Sequence, residues 1–150
     1  MTPETMSKLR AMIQRHEGLR LQVYTDTQGI KTIGFGHNLQ AHGETEIQII
    51  SRADADWYFE IDFAHACSQI EVLLHEMQVS LDDVRFSALV DLCFNMGING
   101  LKGFRKMLAN LRASNYTQAS VELLNSKYAT QVGGRAGEIA HMLNTGEWMI

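Results

Sequence analysis

Three side chains within the first forty residues have the types and spacing to share a reaction: Glu17, Asp26 and Thr32, in the pattern Glu-x8-Asp-x5-Thr. Each alone says little, since a Glu at a helix end or an Asp in a turn is usually a solvated surface group. Together they supply a carboxyl that can give up a proton, a second carboxylate, and a hydroxyl that can hold a water. Glycoside hydrolysis needs such a set: one carboxyl protonates the leaving oxygen, and another group deals with the oxocarbenium-like charge or the attacking water. Around Thr32 the sequence reads Thr32-Ile33-Gly34-Phe35-Gly36-His37. As a continuous strand it would put Thr32, Gly34 and Gly36 on one face and Ile33, Phe35 and His37 on the other. Glycines weaken a strand interior, and their usual justification is a bulge or the close approach of another molecule. A Thr-x-Gly-x-Gly face is therefore either the floor of a groove for a sugar chain or a bulged hairpin.

The elements that must position these groups follow from periodicity. Met6, Leu9, Met12 and Ile13 recur at helical spacing over 3–17, with Thr2 as N-cap, Pro3 at N1 and Gly18 just past the end, which puts Glu17 in the last turn. Leu21 and Val23, then Ile33 and Phe35, alternate on either side of the turn-rich Thr25-Asp26-Thr27-Gln28-Gly29, predicting a hairpin with Asp26 in its bend. Residues 38–50 read as irregular, with a third short strand at 47–50. Ser51 and Asp54 form a capping pair that opens a helix over about 52–76. Helices over 81–96 (stopped by Gly97), 99–112, 116–126 and 135–144 complete the chain. One helix, a small antiparallel sheet and then helices only make an α+β protein, mostly helical. The organisation expected is a single domain. It has a small lobe over about 15–55, a connecting helix over about 52–76 and a helical lobe over about 75–150, on which helix 3–17 packs.

The segments Arg15-His16-Glu17-Gly18-Leu19-Arg20, Tyr24-Thr25-Asp26-Thr27-Gln28-Gly29 and Thr32 to His37 resemble the phage-type lysozymes of glycoside hydrolase family 24. Weaker resemblance extends to Phe94-Asn95-Met96-Gly97, Gly103-Phe104, Arg135 and Asn144 to Trp148. The resemblance implies a lysozyme-like fold. It implies Glu17 as general acid, and Asp26 holding the attacking water with Thr32. Phe94 and Asn95 would line the cleft from the helical lobe, with Arg135 as an ionic partner approaching Glu17, while Gly34 and Gly36 join the substrate site through the Thr-x-Gly-x-Gly face read above. It implies an ion pair between His37 and Asp62 that joins sheet and helix. It further implies hydrolysis of the β-1,4 bond between N-acetylmuramic acid and N-acetylglucosamine in peptidoglycan, without a cofactor, for host lysis in phage infection. The rival readings are a catalytically idle module that binds peptidoglycan or a partner protein, and a chitinase-like activity. Three departures stand out. The link from His37 to the long helix is short, many relatives are strongly basic whereas this chain is acidic, and Met107 occupies a position that is often small and polar.

Composition narrows the partners. A net charge of −4 with 45% hydrophobic residues fits a globular chain, and cations form no run that would suggest nucleic acid. Residues 41–91 hold two arginines against eleven carboxylates, so both flanking segments are mildly basic. No stretch reaches the roughly 20 apolar residues of a membrane span, and the N-terminus has no secretory h-region. The expectation is a monomer without membrane insertion that stays in the host cytoplasm until a holin releases it to the periplasm. Cys67 and Cys93 read as two reduced, buried small hydrophobes, with a disulfide as the alternative. The six histidines show no ligand spacing, so no metal is expected.

Overall fold

The computed structural model describes residues 1–149 as seven helices and one three-stranded sheet. Helix α1 spans Pro3–Glu17, and its first turn is closed by Thr2, whose Oγ1 accepts the Thr5 amide at 3.1 Å. Strands β1 (Arg20–Thr25), β2 (Lys31–Gly34) and β3 (His37–Asn38) form an antiparallel sheet in chain order. Helix α2 runs unbroken over Arg52–Met77. Its start is the reciprocal cap expected, with the Asp54 amide on Ser51 Oγ at 3.1 Å and the Ser51 amide on Asp54 Oδ2 at 3.3 Å. Helices α3 (Asp83–Lys102), α4 (Arg105–Arg112), α5 (Tyr116–Leu124), α6 (Lys127–Val132) and α7 (Gly134–Thr145) follow. The α+β, mostly helical architecture is therefore as read from the sequence.

Several local expectations are corrected. The Thr-x-Gly-x-Gly segment is not a continuous strand. Ile33 pairs with His37, β2 ends at Gly34 with φ +66°, and Phe35-Gly36 is the two-residue turn to β3, with φ +71° at Gly36. Side chains thus do not alternate through it. No strand forms at 47–50; that segment makes one isolated bridge, Gln22 to Ile49, because the neighbouring sheet edge is already bulged between Arg20 and Tyr24. Gly97 does break the third helix, with φ +79° and ψ 163°, but helical structure resumes at once to Lys102. Helix α6, too short and polar to show apolar periodicity, was not expected. Cys67 and Cys93 are free, and only Cys93 is buried.

The chain divides into two compact units, Arg10–His65 and the remainder, Met1–Leu9 with the chain from Ala66 onward. The first unit holds the end of α1, the sheet and the start of α2. Its core stacks Ile33, Phe35 and Leu39 with Phe59 and Phe63, the ring of Phe35 meeting Phe59 edge-on at 5.5 Å. Each fully buried Phe contributes about 1.5–3 kcal/mol by leaving water. The second unit packs α5 and α3 against α7 and α4 against α5, around Leu89, Leu92, Leu101, Met107, Leu123 and Ile139. Met107 is wholly buried there, which accounts for the apolar residue at that position.

Candidate active site

Within the first unit, Glu17 is the last residue of α1, and the Gly18 amide closes the helix on the Gln14 carbonyl at 2.9 Å. The Glu17 side chain is half-buried and lies against the β2–β3 loop. A Cβ placed on Gly36 would stand 2.5 Å from Glu17 Oε2 and 2.9 Å from its Cδ. Only glycine leaves room for that carboxylate, and only glycine adopts φ +71° without strain. The loop backbone is thus the surface on which the Glu17 carboxylate rests.

Asp26 is positioned by its own loop. Its Oδ1 accepts the amides of Gln28 and Ile30, each at 2.9 Å, while its backbone N–H donates to the Ile30 carbonyl at 2.9 Å. Thr32 lies opposite Tyr24 in the β1–β2 register, so the two side chains share a face. The Thr32 hydroxyl donates to the Ile30 carbonyl at 3.0 Å, which leaves its oxygen lone pairs to accept. Thr32 is only 5% exposed, suited to holding a single water. Tyr24 reports the electrostatics here. Its phenol pKa is raised, chiefly by burial and next by the Glu17 charge, with Asp26 adding to the effect and Arg20 opposing it. Arg20 also stacks over the Tyr24 ring at 4.7 Å. Tyr24 thus pairs with Thr32 in the sheet and feels the charges of both Glu17 and Asp26; sequence reasoning did not single it out. Its signal was its place in the register, opposite Thr32.

The other residues named from the sequence are placed as follows. Gly34 is buried, and a Cβ there would touch Ala55 and Ile50, both at 3.6 Å, so protein surrounds it. In the second unit Phe94 is half-buried and Asn95 exposed on α3, one turn after Asp91. Arg135 donates through Nε to Asp91 Oδ1 at 2.8 Å and through Nη2 to the Asp91 carbonyl at 3.3 Å. The pair is buried, with Asp91 fully covered. Asp91, Phe94 and Asn95 sit at i, i+3 and i+4, so Arg135 is tied to the helix face that carries both. Asp91 escaped notice because an acidic residue within an apolar helix has no local motif.

A family model described as phage lysozyme matches residues 14–141, which contain every one of these groups. The chain belongs to the phage lysozyme family. It is 26% identical to the probable T4-type lysozyme 1 of Dictyostelium discoideum, over 94% of this chain and 96% of that one. The endolysin of Acyrthosiphon pisum secondary endosymbiont phage 1 is 30% identical over 83% of this chain and 80% of its own. The pre-baseplate central spike protein Gp5 of Enterobacteria phage T4 is 28% identical over 90% of this chain but only 27% of that much longer protein. Family and relatives make this chain a lysozyme-type hydrolase.

One further cluster braces the sheet of this lysozyme. His37, 3% exposed, shares a hydrogen bond between Nδ1 and Asp62 Oδ2 at 2.7 Å, the expected link from sheet to α2. Its Nε2 faces Glu44 Oε1 at 3.1 Å, a partner that was not foreseen. Burial disfavours the imidazolium, but the hydrogen bonds and charges of Asp62 and Glu44 outweigh it, so the His37 pKa is raised.

Proposed function

We propose that this chain hydrolyses the β-1,4 bond between N-acetylmuramic acid and N-acetylglucosamine in bacterial peptidoglycan, with inversion at the anomeric carbon. The observation that carries the reading is the Glu17 carboxylate seated against Gly36 in the same sheet unit as Thr32, which pairs with Tyr24, a residue that feels the charges of both Glu17 and Asp26. Glu17 donates its proton to the glycosidic oxygen as the bond to the anomeric carbon breaks. A water held by Thr32 and Asp26 attacks that carbon from the opposite side. Asp26 Oδ1 is occupied by two amides, so Oδ2 takes the proton the water gives up. The Thr32 hydroxyl, its own hydrogen spent on Ile30, accepts from the same water and aims its lone pair. Such an arrangement calls for a Glu17–Asp26 carboxyl separation of roughly 6.5–9.5 Å, leaving room for the water. Host-cell lysis is the biological role in this reading, in line with the relative named endolysin.

Purified peptidoglycan digested by the enzyme, followed by mass spectrometry and NMR of the fresh product, tests the whole reading. A reducing-end sugar that appears first as the α-anomer is expected, and Glu17→Gln should lower the rate by about 10²–10⁴-fold while keeping the fold. An anhydro sugar, a β-anomer formed first, or a Glu17→Gln variant as fast as the parent would overturn it.

A further inference from the structure

Arg20 opens β1 and lays its guanidinium over the Tyr24 ring, 4.7 Å from the centroid, so the two side chains stand on one face of the strand. Tyr24 lies directly opposite Thr32, and opposed residues of an antiparallel pair share a face. One face of the sheet therefore carries Arg20, Tyr24 and the threonine proposed to hold the attacking water. From this geometry, and resting on the hydrolysis proposed above, we infer that Arg20 is a specificity-determining residue that binds a carboxylate of the peptide-bearing sugar of peptidoglycan.

Other cations of this unit are already engaged: Arg10 pairs with Glu60 at 2.9 Å and Arg52 with Asp56 at 3.0 Å. Arg20 differs. It is exposed, and among the described residues no carboxylate pairs with it. Stacking on a ring holds the plane of a guanidinium while engaging none of its N–H donors, so the whole fork is left for a group outside the protein. An exposed arginine otherwise spreads over many rotamers. Here the ring fixes it in advance, and less freedom is lost when a ligand arrives. The planar fork matches a carboxylate through two parallel hydrogen bonds. The surroundings make the cation useful. After burial, the Tyr24 phenol feels Glu17, Arg20 and Asp26, in that order, so the guanidinium shares its field with both acids. In a chain of net charge −4, two carboxyl groups beside the site discourage an anionic substrate, and a fixed cation there offsets them. In peptidoglycan every second sugar carries a lactyl ether and, through it, a peptide with free carboxylates. A plain polymer of N-acetylglucosamine carries none. Arg20 therefore has a group to meet on the first substrate and nothing to meet on the second.

The test measures initial rates of the full chain on soluble peptidoglycan strands, native and after carbodiimide coupling to methylamine, which turns their carboxylates into neutral amides. The parent KM should rise about 10-fold on the amidated strands, the lower end of what a hydrogen bond to a charged group contributes, with kcat nearly unchanged. Arg20→Ala should show the raised KM already on native strands and lose most of the difference between the two substrates. Arg20→Lys, which keeps the charge without the fork, and Tyr24→Leu, which removes the platform, should each fall between. Lys31→Ala removes the same charge from an exposed side chain on the neighbouring strand, opposite Thr25, and should discriminate as the parent does. Co-sedimentation with insoluble peptidoglycan, native and amidated, reads the same contrast without turnover. Loss of hydrolysis in every chain would thus count against the proposed reaction, while the contrast in binding still decides the role of Arg20. An Arg20→Ala chain that discriminates the two substrates as strongly as the parent, or a Lys31→Ala chain that loses discrimination equally, would overturn the inference.

Discussion

Replacing Gly36 with alanine separates two costs that glycines usually confound. The first is backbone strain, since an L-residue in the left-handed region costs about 1–2 kcal/mol, and Gly36 has φ +71°. The second is local: the new methyl would lie 2.5 Å from Glu17 Oε2, where ordinary contact begins near 3.4 Å. The carboxylate must therefore retreat by about 1 Å, a displacement able to cost about 10²-fold in rate when it misplaces a reacting group. Gly43 supplies the control. Its φ is +68°, yet nothing lies within 4 Å of a Cβ built there. Gly43→Ala should carry the strain without the displacement. Both variants should then melt about 2–8 °C below the parent, given roughly 2–4 °C per kcal/mol at this size. Only Gly36→Ala should lose turbidity-clearing activity on permeabilised cells, by about 10²-fold. If the two variants fall equally in activity, the Glu17 carboxylate does not depend on that loop and the placement of the general acid is wrong.

Three further outcomes are expected. Thr32→Ala should lower kcat far more than it changes KM, because the hydroxyl orients water and adds little ground-state affinity; a KM effect with kcat intact would assign it to binding instead. The raised pKa of His37 makes its stabilisation fully present below about pH 6.5 and lost as pH climbs through the folded value. Asp62→Asn, which exchanges a charge-assisted hydrogen bond for a neutral one at a cost of about 1 kcal/mol, should lower the melting temperature most at pH 5.5. Its gap from the parent should narrow by pH 8.5, and a constant gap would refute the linkage. Finally, expression of this chain alone should leave a Gram-negative host intact, with lysis following only when chloroform or a holin breaches the inner membrane; prompt lysis without either would reveal an export route.

What was legible in the sequence is what local chemistry decides. Thr2 and Pro3 start α1, Ser51 and Asp54 start α2, and Asp26 sits in a bend that its own side chain organises through the amides of Gln28 and Ile30. Each of these signals lies within four residues of its partner. The turn at Phe35-Gly36 is not legible in the pattern, because alternation of Ile33, Phe35 and His37 is satisfied equally by a continuous strand and by a tight turn that buries all three. Asp91 with Arg135, and Glu44 with His37 and Tyr58, join residues remote in the chain or on different elements, and no local pattern announces such pairs.

The two carboxylates proposed for catalysis are held in opposite ways, and that difference has a consequence for how the site tolerates change. Asp26 is oriented by a five-residue loop whose bonds all lie within 26–30, so substitutions elsewhere leave it undisturbed while the loop is intact. Glu17 is oriented by a backbone nineteen residues away, at a position where one added methyl collides with it. Its placement therefore depends on the β2–β3 loop keeping its shape. That shape rests in turn on Ile33 opposite His37 in the register, and on the bond from His37 to Asp62 of α2. The imidazole that braces the sheet thus belongs to the support of the general acid without touching it. Loosening that brace should disturb Glu17 before it disturbs Asp26. A turnover deficit in Asp62→Asn that grows with the loss of loop order, with Asp26 amide protection unchanged in hydrogen exchange, is the pattern this coupling produces; loss of both protections together would mean the unit opens as a whole.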